Sequence, residues 1–576
     1  MNTEYSKPDA TLPSRLTFLI KSLFQVLFNI IVIYLIFFSG NRVFFGYPLF
    51  AEGLIQAGAS QFNRWIMLSR KKAADAATSQ DLTKRKAECI ASVVGYREDA
   101  DVFKKCLESY ASNYDQRHAA ICVGIDGNEA EDYKMCIVAE EQVFGPRLAT
   151  IYLEESFGHI FRIMQEAAMI SEKTPTSSDI NDHIMSTLIS KATNILQAHD
   201  ALYCSSQEPQ PICIVQPHHS KKEIMFTTFI FNIALARANN VDFVWSSDSD
   251  SWVYPRTIEM TIDCMSTDEK LAGSCCLMEI HNAHLSMIAT AVAATYEADM
   301  ANTGGLLSSC DSTDCQPGPC AAFRAEALQK VLIPWFDQTV LGMRPLVNDD
   351  RHLTTRLLLA GYKVNFNPTV SVATDTPPTL PKWIIQQVRW SRATAVESLC
   401  YPKVYLQRHP ILGIFSFRRI ALPIINFAVV ARYLTTGVGG SFSSIQDIAL
   451  RMLVVGLYAS FTNWRGVKGF VLHTLSPLVM QVPQTAFLFW ATVTMFDNHW
   501  GTPMRSSNEQ GKGSKRSFLS QNFGSLFVTT VWVSMVVGAF CRWVATTWAL
   551  VVPMYAAAGG FVGAAGLFGF AIAAGM

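Results

Sequence analysis

Apolar residues in this chain gather in long runs toward both ends and in short runs through the middle. Leu16 to Ser39 is long and apolar enough to cross a bilayer, with Lys21 near one end where it can snorkel. No small-residue cleavage site follows, so it reads as an anchor rather than a signal peptide. A weaker candidate lies at 42–60 and contains Glu52, a costly residue facing lipid, so residues 1–65 are expected to hold one or two spans. Basic triplets at 70–72 and 84–86 put the following domain on the cytosolic side. Further apolar runs predict helices at 411–435, 446–463, 524–549 and 552–575. Between them, 469–496 is apolar but interrupted by Pro477 and Pro483, which favour a broken, re-entrant or interfacial segment. Arg465 and Lys468 place its start on the cytosolic side, and a segment that dips and returns would leave 497–520 there too, before the last helices of 521–576.

The middle of the chain has a different rhythm. "AECIASVVGYRED" (87–99) is a strand pattern ending in a polar turn, and 103–113 has helical apolar spacing. A second strand pattern at 118–129 ends in Asp-Gly, and "VDFVWSSDSDSWV" (241–253) is another with acids at its C-terminal end. Strands alternating with helices predict an α/β domain over 85–380 with a parallel sheet and ligands at the strand C-termini. Residues 154–211 fit this less well and read as a helical insertion with a flexible middle. Residues 381–410 read as an interfacial helix, and the Gly/Ala-rich tail as a small-residue packing helix.

Composition sharpens this division. The chain has 576 residues, 50% hydrophobic and 16% charged, with a formal net charge of zero. That balance gives no bulk charge to hold a polyanion, and nucleic acid is not an expected partner. The 14 cysteines form no disulfide framework, and the evenly spaced Cys310, Cys315 and Cys320 lack the paired spacing of a zinc site.

Five stretches carry candidate chemistry. Asp248 and Asp250, at i and i+2 on a strand end, face the same side and could hold Mg²⁺ or Mn²⁺ with a diphosphate completing the ligands; the plain alternative is a solvated acidic turn. In "TPPTLPKWIIQQVRWSRA" (376–393), Pro381 suits a first helical turn, and Gln386, Arg389 and Trp390 share one face. A guanidinium can clamp phosphate and an indole can stack on a sugar, although an interfacial helix with a Trp at the headgroups has the same pattern. "VNDDRHLTTRLLLAGYKV" (347–364) starts with Asn348 as an expected N-cap and ends with Gly361 as an expected C′ residue. Asp349 and Asp350 fall in its first turn, either as dipole-complementing acids or as a general base for a sugar hydroxyl. "CQPGPCAAFR" has a Gly318-Pro319 turn that lets backbone approach a ligand, and "QPHHSKKE" offers Lys221 and Lys222 to phosphate or simply to solvent.

Taken together, "GYREDADVFKKCLES", "GIDG", "QPHHSKKE", "DSDS", "GPCAAFR", "DDRHLTTRLLLAGYKV", "TDTPPTLPKWIIQQVRWSRA" and "FDNHWGTP" resemble the processive family 2 glycosyltransferases, and the hyaluronan synthases most closely. The segments stand in the family's order from about 90 to 510, with spans on both sides; the insertion and the termini lie outside it. The resemblance implies a GT-A catalytic domain inserted between transmembrane helices of a multi-pass plasma-membrane protein. That domain would face the cytosol, and a channel would thread the polymer outward. It implies UDP-sugar donors, a growing polysaccharide, Mg²⁺ or Mn²⁺, and contact with the bilayer; a monomer is compatible with it. By resemblance, Tyr96 and Asp126 would bind uridine, with Glu98 also in the nucleotide site. Lys221 and Asp248 would contact the diphosphate, Asp250 and Asp248 the metal, and Asp350, beside Asp349, would be the base. Gln386, Gln387, Arg389 and Trp390 would form the acceptor and diphosphate site, with Gly318, Pro319 and Cys320 near the acceptor. Trp500, Gly501 and Thr502 would belong to a gating loop over the nucleotide. The sequence departs from the family at His219, Asn348 (for Gly), Cys320, Ala321, and Pro503, which replaces a phosphate-facing Arg. A chitin-type enzyme using UDP-N-acetylglucosamine alone, a non-processive lipid-linked transferase and an inactive relative or transporter are the rival readings.

Overall fold

The computed structural model describes residues 49–80, 87–111, 117–170, 177–204, 208–340, 342–345, 347–407, 410–438, 445–497, 515–549 and 552–574. The anchor expected at 16–39, the basic triplet at 84–86, and Trp500, Gly501, Thr502 and Pro503 lie outside these residues.

Nine strands form one mixed sheet in the order β3-β4-β2-β1-β5-β8-β7-β9-β6. They are β1 (Cys89–Gly95), β2 (His118–Asp126), β3 (Ala149–Tyr152), β4 (Gln210–Gln216), β5 (Phe243–Asp248), β6 (Trp252–Val253), β7 (Leu271–Ile280), β8 (Ala321–Arg324) and β9 (Lys363–Thr374). The strands are near-continuous apolar runs because both faces are covered. In β1, Ile90 and Val94 enter one core while Cys89, Ala91 and Val93 enter the other. In β2, Ala120 and Cys122 divide in the same way from Ile121, Val123 and Ile125. On the first face pack helices α3 (Phe157–Ile170), α4 (Ser177–Ala198), α5 (Lys221–Asn239) and α8 (Ala325–Phe336); on the second pack α2 (Ala100–Ala111) and α6 (Thr257–Ser266).

Two expectations about this domain change. The sheet is mixed: β3 to β5 are parallel, as is the β7–β9 pair, but β8 runs antiparallel to both β5 and β7, and β6 antiparallel to β9. After helix α7 (Met287–Asp299) the chain returns to the start of β9 at Asp311, and the Gly318-Pro319 turn then carries it to the C-terminal end of β5, from which β8 runs back. Residues 154–211 hold the crossover that two parallel neighbours require, here β3 and β4, rather than an appendage. Phe157, Phe161, Leu188 and Leu196 are fully buried in the first core, and Phe161 packs edge-on to Phe226 and Phe336.

Helix α1 (Leu49–Gln80) includes the described part of the 42–60 candidate and continues well past it. Its buried face is polar: the Ser60 hydroxyl donates to the Asn302 carbonyl at 2.7 Å and Asn63 to the Phe366 carbonyl at 2.9 Å. Of the 70–72 triplet, Arg70 pairs with Asp268 at 3.0 Å and Lys71 with Asp263 at 2.9 Å, tying the helix to the sheet domain. Its other side exposes Leu54, Ile55, Phe62, Trp65 and Leu68.

After α9 (Asp349–Leu359) and α10 (Leu380–Cys400) come α11 (Pro410–Thr436), α12 (Ile445–Thr462), α13 (Gly466–Gln481), α14 (Gln484–Val493), α15 (Phe523–Trp548) and α16 (Pro553–Ala574). The 469–496 segment is two helices broken at Val482–Pro483, and Pro483 caps the second. Among the described helices, α15 and α16 are long and apolar enough to cross a membrane.

If 154–211 is a structural crossover, Phe161→Ala should destabilise the domain by about 3–5 kcal/mol, read as a large drop in thermal unfolding midpoint of the purified chain. An unchanged midpoint would mean the segment is dispensable.

Candidate active site

The chain direction reverses about β1, with β2 and β4 on one side and β5 on the other. At such a switch point the strand C-termini diverge and leave a crevice. Here the crevice opens into a cavity of about 1410 Å³ lined by Tyr96, Asp126, Lys221, Asp248, Asp350 and Arg389, among others. Glu98, Asp250, Gly318, Pro319, Asp349, Gln386, Gln387 and Trp390 also line it. The sites expected on separate strand ends and helices therefore share one space.

At one end, Tyr96 stacks on His218 with centroids 4.0 Å apart and rings 13° from parallel. Asp126 ends β2 and is buried; its Oδ1 accepts from Gln216 Nε2 at 3.0 Å and from the His219 backbone N–H at 3.2 Å. His218 Nδ1 lies 2.9 Å from Asp126 Oδ2, and this hydrogen bond raises the His218 pKa against the opposing effect of burial. Arg97, at φ 48°, lies 5.0 Å from the Tyr96 ring centroid and pairs with Asp132 at 3.0 Å. The Ser249 hydroxyl donates to Glu98 at 3.3 Å.

Four carboxylates crowd the centre. Lys221, in the first turn of α5, reaches Asp248 Oδ1 at 2.8 Å and Asp349 Oδ2 at 3.5 Å. Burial opposes the lysine's charge, yet Asp248, Asp350 and Asp349 together hold its pKa well above the usual range. Asp350 accepts the Gly318 backbone N–H at 3.1 Å. Burial first, then the Asp349 charge, pushes Asp350 up to about 8. Position 318 admits only glycine without displacement, because a Cβ there would lie 2.6 Å from Asp248 Oδ2. Asp248 is likewise raised by burial, with Lys221 pulling the other way and Asp250 adding to the rise. Such an excess of desolvated negative charge fits a hard dication between Asp248 and Asp250, with further oxygens from a bound diphosphate.

The far wall is α10, started by Thr379 with Pro381 in its first turn. It brings Gln386, Arg389 and Trp390 to the cavity, and the Trp390 ring sits 6.0 Å from that of Tyr296 on α7. Gln387 is more buried and donates to the Tyr296 hydroxyl at 3.2 Å.

Three sequence assignments change. Cys320 is fully buried and points its thiol at the Cys276 carbonyl, 3.4 Å away, so it does not line the cavity as Gly318 and Pro319 do. Residues 318–320 form one 3₁₀ turn, in which successive side chains point about 120° apart, so Cys320 faces away from the cavity that Pro319 lines. Lys222 is turned from the cleft onto the Trp335 face at 5.3 Å, where burial lowers its pKa to about 7, so Lys221 alone of the pair faces the site. Asn348 precedes α9 but its side chain does not cap it. Gly361, at φ 88°, does end that helix in the left-handed conformation. Sequence reasoning missed His218, whose signal was its place three residues before Lys221, and Tyr296, which sits in an Ala-rich helix without any signal.

The cleft combines an α/β sheet, acids at its switch point and an Arg-Trp helix opposite, and the chain carries a glycosyltransferase domain. The description "Glycosyl transferase family group 2" matches residues 244–465. The chain is similar to hyaluronan synthases. It is 25% identical over 466 residues to hyaluronan synthase 3 of Homo sapiens, covering 79% of this chain and 75% of that one. It is 26% identical over 486 residues to hyaluronan synthase 2 of Xenopus laevis, covering 82% and 77%. A solved mannosyltransferase from Pyrobaculum calidifontis, in complex with GDP-Man and Mn²⁺, aligns at 14% identity with a TM-score of 0.37, covering 78% of this chain and 99% of that one.

The raised Asp350 pKa carries a stability consequence. An unfolded Asp loses its proton near about 3.9, whereas the folded group keeps it up to about 8. Between those values the folded state holds the extra proton, so its stability falls as pH rises, and the fall levels off above the folded pKa. Asp350→Asn removes this titration. The gain in unfolding midpoint of that variant over the parent should grow from about pH 5 to about pH 8 and then plateau; a pH-independent difference would contradict the assignment.

Proposed function

We propose that this chain is a membrane-embedded, processive, inverting β-glycosyltransferase that polymerises UDP-sugars and passes the polymer outward. UDP-N-acetylglucosamine and UDP-glucuronate would be its two donors and hyaluronan its product. The observation that carries this reading is the convergence of Asp248, Asp250, Asp350, Arg389 and Trp390 on one cavity. That cavity also continues between the helices past Gln56, Thr303, Asn426 and Gln484, polar side chains suited to a hydrated sugar chain. The similarity to hyaluronan synthases over most of the chain supports the choice of product. Helices α15 and α16 support a membrane setting; in this reading the sheet domain faces the cytosol.

In this reading the base stacks at Tyr96 and His218 near Asp126, and Lys221 and Arg389 hold the diphosphate. Asp248 and Asp250 would hold Mg²⁺ or Mn²⁺, which when bound offsets the charge developing on UDP. Trp390 stacks the terminal sugar of the acceptor. Asp350 takes the proton from the acceptor hydroxyl as its oxygen bonds to the donor anomeric carbon. The bond from that carbon to the phosphate oxygen breaks, and the electron pair leaves with UDP. A carboxyl raised to about 8 is mostly protonated at neutral pH, so turnover should rise with pH toward and through that value.

The test is product identity. Purified full-length protein with Mn²⁺ should make hyaluronidase-sensitive polymer only when both UDP-sugars are present. Asp350→Asn should lower turnover by about 10²–10⁴-fold while still binding UDP. Polymer made from UDP-N-acetylglucosamine alone and cut only by chitinase would overturn the product, and full turnover in Asp350→Asn would overturn the base.

A further inference from the structure

Behind the cleft lies a second, fully buried polar cluster that the reaction scheme above does not use. Glu397 sits on α10 two turns beyond Trp390 and is 1% exposed. Its Oε1 accepts from Asn348 Nδ2 at 2.6 Å, from His352 Nδ1 at 2.9 Å and from Gln338 Nε2 at 3.2 Å. Asn348 also donates to Gln338 Oε1 at 3.0 Å, which fixes which way its amide points. Arg356 Nε donates to His352 Nε2 at 3.0 Å. An imidazole nitrogen that accepts carries no proton, so the proton of neutral His352 is on Nδ1, facing Glu397. Burial, which lowers the His352 pKa to about 4, agrees with that neutral form. Glu397 and Arg356 are thus a buried charge pair joined through a neutral histidine, and the guanidinium lies 5.1 Å over the Tyr401 ring.

A buried carboxylate costs several kcal/mol unless its lone pairs are filled, and one so filled fixes a geometry rather than adding stability. Here the geometry concerns the two halves of the cleft. Asn348 immediately precedes Asp349 and Asp350, while Gln386, Arg389 and Trp390 lie on the same helix as Glu397. The Asn348 amide, which leaves α9 uncapped to reach Glu397, spans the join.

We propose that Glu397 and Asn348 are positioning residues that set the separation of Asp350 from Arg389 and Trp390. They hold the base against the acceptor without touching substrate. Tyr96, Asp126 and His218 make none of these contacts, so the uridine end of the cleft is set without them. The inference rests on Asp350 as the base.

The test uses the full-length protein and measures kcat, the KM for UDP-sugar and UDP affinity by calorimetry for Glu397→Gln, Asn348→Ala, the double variant and Asp350→Asn. Misplacement of a reacting group by about 1 Å costs on the order of 10²-fold, so kcat per UDP-binding site should fall by that order in Glu397→Gln. KM and UDP affinity should stay within about twofold, and the double variant should lose no more than the larger single loss, because both changes break one contact. Unchanged kcat, additive losses, or kcat and UDP-binding capacity falling together would overturn the proposal. If Glu397→Gln does not fold, Asn348→Ala, which leaves the carboxylate its His352 and Gln338 partners, decides by the same criteria. Full turnover by Asp350→Asn would instead overturn the base assignment on which the inference rests.

Discussion

Four carboxylates share one cleft, and Lys221 touches two of them. Asp248 ends β5, Asp250 follows in its turn, and Asp349 and Asp350 open α9. Like charges this close repel, and burial removes the water that would screen them. The fold answers with several devices. Helix α5 is buried along most of its length, so its first turn presents Lys221 rigidly to Asp248 and Asp349. The Gly318 turn brings a backbone N–H onto Asp350 in space that Asp248 denies to any side chain. The residual negative charge is what a divalent ion and a diphosphate would complete.

Much of this could be read from the chain because it depends on local rules. The ends of β1, β2 and β5 fall where apolar runs give way to Tyr96, Asp126 and Asp248. The spacing of Gln386, Arg389 and Trp390 on a helix puts them on one wall of the cavity, as the structure has them. What could not be read depends on contacts far apart in sequence. Asn348 sits at an N-cap position, yet its amide has a stronger partner in Glu397, 49 residues away. Lys221 and Lys222 are adjacent and chemically alike; only the packing of α5 against Trp335 tells which one faces the cleft. Cys320 follows two lining residues, and the 3₁₀ turn leading into β8 directs it into the second core, toward the Cys276 carbonyl.

Helix α1 shows the same limit for hydropathy. The 42–60 window averages a polar face of Glu52, Gln56 and Ser60, buried on the protein, with an apolar face of Leu54 and Ile55, exposed. The average says little about either side, and the continuation to Gln80 follows from Asn63, Arg70 and Lys71 finding partners on the sheet domain. The 469–496 segment is clearer because proline acts locally: Val482 and Pro483 separate two helices that pack against α7, α10 and α12 rather than forming one straight rod.

The central claim is that the acidic cleft receives a metal-bound nucleoside diphosphate. Calorimetric titration of the purified protein with UDP, with Mn²⁺ and with chelator, tests it most directly. The account predicts that Mn²⁺ tightens UDP binding at least about tenfold, roughly 1.4 kcal/mol, and that Asp250→Asn removes the gain. UDP affinity that is the same with and without the metal, in the parent protein, would contradict it.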